Sequence, residues 1–269
     1  STQHWTLFPY TTLFRSPTPQ EDAFLRTWGV HARAPQDHKA VIAACQTVMD
    51  RASTLGDYLP AVKTLAAWHL LASGNRTDAV RIFESALTQG RAADPVARYA
   101  DNMARRWLSR IDQESVEKAL KAYYIDNVEY PSSLAPLFNL PKDKAPPKTD
   151  RFGTPWVYKT EGFSRLKTAP NQRYTLYSQT IGVRASSLSA MPTDTYGLKR
   201  ASLVARRGTN PLSVEFETDT EAGVQRGIAT ENGLINGIRF LRIDSDNRFA
   251  LLVDGDCDYW VVAVPTRSR

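Results

Sequence analysis

The feature that most constrains this chain is a change of texture at Tyr130-Pro131. From Glu21 to Tyr130 apolar residues recur at three- and four-residue spacing, which marks one buried face on each of several helices. Val41, Ile42, Cys45, Val48 and Met49 form one such stripe. Pro60 suits the first turn of another helix, with Leu65, Trp68, Leu71 and Ala72 along its face. Gly74-Asn75 closes that helix, Thr77 is the expected N-cap of the next (Asp78 to Thr88), and Asp94-Pro95 opens a last one carrying Val96, Tyr99, Met103 and Trp107.

After Tyr130 the prolines at 131, 136, 141, 146 and 147 end helical periodicity, and strand-like segments begin at Trp156–Lys159 and Tyr174–Ser178. Residues 185–197 are rich in Ser, Thr and Pro. Five strands are expected beyond them, at Ala201–Arg206, Leu212–Glu217, Gly237–Ile243, Phe249–Val253 and Tyr259–Val264, with turns at 207–210, 244–247 and 254–256. Helices followed by strands, with no helices crossing between the strands, predict an α+β protein rather than a parallel α/β one. The expected organisation is a helical region (17–112), a central α+β domain (113–184), a linker (185–198) and a small antiparallel β domain (199–269).

Composition excludes several classes. The chain is 42% hydrophobic with six Trp, eleven Tyr and ten Phe, enough to build cores and too apolar for a disordered protein. No run approaches the roughly 18 apolar residues of a membrane span. Two cysteines, Cys45 and Cys257, cannot make a disulfide framework or an all-cysteine metal site. The net charge of +6 suggests nucleic acid at first, but the excess is spread over a central segment that includes Lys142, Lys144 and Lys148. That is a solvated, mildly basic surface and not a phosphate-tracking face.

Residues 6–16, Thr-Leu-Phe-Pro-Tyr-Thr-Thr-Leu-Phe-Arg-Ser, resemble residue for residue the translation of a DNA-sequencing adapter. Residues 1–16 are therefore expected to be an artefactual leader. Membrane attachment would come only through a natural segment lost upstream of residue 17.

The middle of the chain carries the informative pattern. Glu117-Lys-Ala-Leu-Lys-Ala-Tyr-Tyr-Ile-Asp-Asn-Val-Glu-Tyr-Pro-Ser-Ser-Leu-Ala-Pro-Leu, then Asp150-Arg-Phe-Gly-Thr-Pro-Trp-Val-Tyr-Lys, then Tyr174-Thr-Leu-Tyr-Ser-Gln follow in order. Together, over residues 116–182, they resemble the major pseudopilins of type II secretion. That family runs approximately Ala-Leu-x-x-Tyr-x-x-Asn-Gly-x-Tyr-Pro-Thr, Asp-Pro-Trp-Gly-Asn-Pro-Tyr-x-Tyr and Tyr-x-Leu-x-Ser. The resemblance places Tyr123, Asn127, Tyr130, Pro131, Asp150, Phe152, Gly153, Pro155, Trp156, Tyr158, Tyr174 and Ser178 in its motifs, all as structural residues. Two departures matter. The family's apolar N-terminal stem is replaced by the helical region, and its acidic calcium loop reads here Ser178-Gln-Thr-Ile-Gly-Val-Arg-Ala-Ser-Ser, without a carboxylate.

Two weaker likenesses flank it. His69-Leu-Leu-Ala-Ser-Gly-Asn-Arg-Thr-Asp-Ala-Val-Arg-Ile-Phe-Glu-Ser-Ala-Leu resembles the centre of one tetratricopeptide repeat through Gly74, Ala79, Phe83, Ala86 and Leu87, and an ordinary helical hairpin fits as well. The C-terminal strands look similar to small periplasmic β-domains of inner-membrane secretion and pilus proteins.

No catalytic constellation is legible. His31, His38 and His69 lack zinc-type spacing, and no nucleophile-elbow, P-loop or dinucleotide motif occurs. His69 is expected to pack within a helix or face solvent, and Asp254-Gly-Asp-Cys-Asp258 reads as a solvated hairpin turn. The expectation is thus no enzyme, no cofactor and no metal. The resemblance implies a structural or assembly component of a type II secretion or type IV pilus system in the periplasm or cell envelope. Its partners would be other assembly proteins, with no nucleic acid. The alternative is a stand-alone, tetratricopeptide-type peptide-binding adaptor.

Overall fold

The computed structural model describes residues 17–51, 55–88, 95–160, 173–182, 201–209, 211–220, 222–254 and 260–266. The expectations for the leader, the linker, Cys257 and the Asp256–Asp258 turn lie outside these residues. The chain is α+β, helices first and strands after. None of the described helices is long and apolar enough to cross a membrane.

Helix α1 (Pro19–Arg33) begins at a reciprocal cap: the Glu21 amide donates to Thr18 Oγ1 and the Thr18 amide donates to Glu21 Oε2. Helices α2 (His38–Met49), α3 (Leu59–Ala72) and α4 (Arg76–Ala86) follow. The N-cap of α4 is Asn75 and not Thr77: Asn75 Oδ1 accepts from the Asp78 amide, and Gly74 at φ +88° makes the turn that brings Asn75 there. Helix α5 (Pro95–Asn127) runs for 33 residues without a break, through the boundary expected at 112/113. No Gly or Pro after Pro95 interrupts it. The short α6 (Ala135–Phe138) and the antiparallel hairpin β1 (Trp156–Thr160) and β2 (Tyr174–Ser178) complete the middle of the chain.

The last seven strands are β3 (Ala201–Thr209), β4 (Leu212–Thr220), β5 (Gly223–Thr230), β6 (Leu234–Ile235), β7 (Ile238–Ile243), β8 (Ala250–Asp254) and β9 (Trp260–Pro265), ordered β5-β4-β3-β9-β8-β7-β6. They are two antiparallel meanders joined side by side, so the β3–β9 junction is parallel (Ser202 opposite Val264), against the wholly antiparallel expectation. Strand β3 extends through the turn expected at 207–209, because Gly208 and Thr209 pair with Ser213 and Leu212. The two outer strands approach each other: Ile235 of β6 lies over Gly227 of β5, where a Cβ would sit only 2.8 Å from it.

Three cores result. In the first, Trp28, Leu65, Phe83, Met103 and Trp107 of the helices bury together with Phe249, Leu251, Val253 and Val262 of the sheet. The second is the sheet's own interior, built on Phe216, Phe240, Ala250 and Leu252. Strand β8 is thus buried on both faces, alternate residues serving each core. The third core gathers Val116 and Leu120 of α5, Leu134, Leu137 of α6, and Trp156 and Leu176 of the hairpin.

Helix α1 clamps the sheet. Glu21 Oε1 accepts from Arg242 Nε at 2.9 Å, Asp22 accepts from the Ser245 amide at 2.8 Å, and Arg26 pairs with Asp246 at 3.0 Å. Further along α1, the Phe249 ring occupies the space a side chain at Gly29 would need.

Candidate functional site

All twelve motif residues fall in the small module around the third core. Asp150 organises it: its Oδ1 accepts from the Phe152 and Thr154 amides at 2.9 Å each, and its Oδ2 accepts from the Ser178 hydroxyl at 2.6 Å. The carboxylate is buried, so these three bonds replace the water it loses. Gly153, at φ +84°, lets the chain double back so that Pro155 faces Thr149.

Aromatic residues close the module. Trp156 Nε1 donates to the Pro147 carbonyl at 2.9 Å, and the Tyr158 hydroxyl donates to the Pro131 carbonyl at 2.8 Å. The Tyr130 ring lies between Tyr124 (4.6 Å) and Tyr174 (4.8 Å). Tyr123 packs beside them, and its carbonyl accepts from Asn127 Nδ2 at 2.8 Å. Burial, reinforced by neighbouring tyrosines, pushes the Tyr158 phenol up to about 12; burial and Glu117 do the same for Tyr174. Both phenols stay protonated at neutral pH and serve as packing groups, not bases.

The module is fastened to the helices through Arg151. Its guanidinium grips Asp112 of α5 and reaches Glu84 of α4 at 3.5 Å, its amide donates to Ser109, and its carbonyl accepts from Arg105. These groups hold its pKa above the ordinary arginine value, led by the hydrogen bond to Asp112.

The end of α5 departs from the same pattern at a point not singled out from the sequence. Val128 occupies the place where the pseudopilin pattern has glycine, and it adopts φ +62°. Its amide donates to the Tyr124 carbonyl at 2.8 Å, closing the helix as glycine ordinarily does. A β-branched residue there is strained. Val128 is also 74% exposed, beside Ile125 at 69%, with Leu140 of the following loop exposed too.

A second cluster was missed from sequence. His31 of α1, His38 of α2 and His69 of α3 form a chain of imidazoles, with His31 Nδ1 to His69 Nε2 at 3.0 Å and His38 Nδ1 to His69 Nδ1 at 2.9 Å. Trp68 lies against all three rings. His69 is completely buried, so of the two alternatives expected for it, packing or facing water, it packs. Burial, then the mutual repulsion of their charges, lowers His31 to about 4 and His69 to about 3. The available signal was His69's position in the Leu65–Trp68–Leu71 stripe, together with two histidines flanking the α1–α2 turn.

The cluster is not a metal centre. His69 offers a different nitrogen to each neighbour, so the three rings do not converge on a point, and no group of three or more His, Cys, Asp or Glu among the described residues could hold an ion. Cys45 is buried and unbridged, its thiol raised to about 12 by burial. Comparison of the chain with models of known families, with curated proteins and with solved structures finds no match in any of the three.

Proposed function

We propose that this protein is a non-enzymatic structural or assembly component related to type II secretion or type IV pilus systems, working through protein–protein contacts in the bacterial envelope. One observation carries the reading. Residues that resemble the pseudopilin pattern, scattered between Tyr123 and Ser178, gather into one helix–loop–hairpin module whose polar groups are spent on holding its own turns. A module with such commitments offers shape and surface, not chemistry. The exposed pair Ile125 and Val128, at its outer end, supplies an apolar contact surface of the kind protein interfaces bury.

The peptide-binding adaptor is the weaker reading. Its groove would need an exposed face on the helical hairpin, whereas α3 is buried over Ala61–Val62 and Thr64–His69, between its neighbours α2, α4 and α5.

A photo-crosslinking residue at Ile125 or Val128, tested in envelope fractions of a diderm bacterium with a type II secretion system, addresses the proposal. Crosslinks to pseudopilins or their inner-membrane platform are expected. Crosslinks confined to cytoplasmic proteins would refute it.

A further inference from the structure

We infer that the His31–His69–His38 chain is a proton-operated latch that fastens helices α1 and α2 to α3, and that it opens when the cluster takes up its second extra proton. Four ring nitrogens meet in two contacts, and each contact holds one proton, donated from one side and accepted on the other. Three neutral imidazoles carry three protons: one in each contact and one on an outer nitrogen. A fourth proton fits on the other outer nitrogen without disturbing either contact. A fifth has nowhere to go except into a contact, where two N–H groups then face each other. That contact must break.

The surroundings keep the neutral form at pH 7. His69 is fully buried, and the groups facing it from α1 and α2 are His31 and His38, which repel its charge. Charged groups on the packed helices have partners of their own. Arg33 of α1 lies over the Phe249 ring, Asp37 caps α2 through the Ala40 amide, and Arg76 of α4 pairs with Glu114. Histidines held below their ordinary value of 6.5 contribute stability that is whole above pH 6.5, and it is lost as pH falls toward 4. What opens is also specific, because α1 carries the Glu21–Arg242 and Gly29–Phe249 contacts that hold the sheet. Acid would therefore loosen the helical region from the sheet before it disturbs α5.

The test is urea unfolding of the full chain at pH 7.5, 6.5, 5.5 and 4.5, with hydrogen exchange resolved by segment. Between pH 6.5 and 4.5 the unfolding constant of the wild type should rise by up to about 100-fold per pH unit, the limit for two protons. Exchange, corrected for its intrinsic rate, should accelerate in α1 and α2 ahead of α5. His69→Gln should flatten that slope. Should this variant not fold, histidine NMR titration of the wild type decides: His31 and His69 must stay neutral well below pH 6. Independent titration of all three near 6.5, an unchanged pH slope in His69→Gln, or strong stabilisation by added zinc at pH 7.5 would overturn the latch.

Discussion

At the scale of single residues, Val128 sets local stability against contact. An L-residue with a branched Cβ at φ +62° crowds its own backbone, a cost glycine avoids. Val128→Gly should stabilise the protein by about 0.5–1 kcal/mol, the relief of strain exceeding the extra freedom glycine gives the unfolded chain. The same change should weaken crosslinking through Ile125, since it removes an exposed apolar side chain beside it. Opposite signs in urea unfolding and partner capture would mark Val128 as a contact residue; a loss of both would mark it as structural. Asp150 shows the contrary economy. Its position was legible as a motif residue, but its reason became visible only in the three bonds it accepts.

Among elements, the docking of α1 on the sheet turns on one missing side chain. Alanine in a helix normally improves on glycine by up to about 1 kcal/mol. At position 29 its Cβ would lie 2.4 Å from Phe249 Cζ, so Gly29→Ala should instead destabilise by about 1–3 kcal/mol. Combining it with Phe249→Leu should recover part of the loss, a coupling that urea midpoints of the wild type and the three variants would measure. The helices and most strands were readable because their periodicity is local. Strand β5 was not, since Gly223 and Gly227 interrupt any strand pattern there; Gly227 is needed because Ile235 closes over it, a contact between separate strands. The histidine chain escaped for a similar reason. Its members come from three helices, and only packing brings them within hydrogen-bonding distance.

For the whole molecule, the sharing of the first core between helices and sheet governs how it unfolds. Phe249, Leu251, Val253 and Val262 are buried against the helices, and each contributes about 1.5–3 kcal/mol. Their sum is comparable to the entire stability of an ordinary domain, about 5–15 kcal/mol. A chain ending at residue 200 should therefore lose its cooperative thermal transition and bind hydrophobic dyes, as circular dichroism and fluorescence would report. A sharp transition retained by that fragment would mean the helices stand alone. Helix α5 has a different consequence. It is about 50 Å long, rooted at one end in the helical core and at the other in the hairpin module, with no Gly or Pro between to act as a joint. Because Arg151 also ties that module back to Asp112 of α5 and Glu84 of α4, a pull on the hairpin is carried straight into the helical core, with little lost to bending.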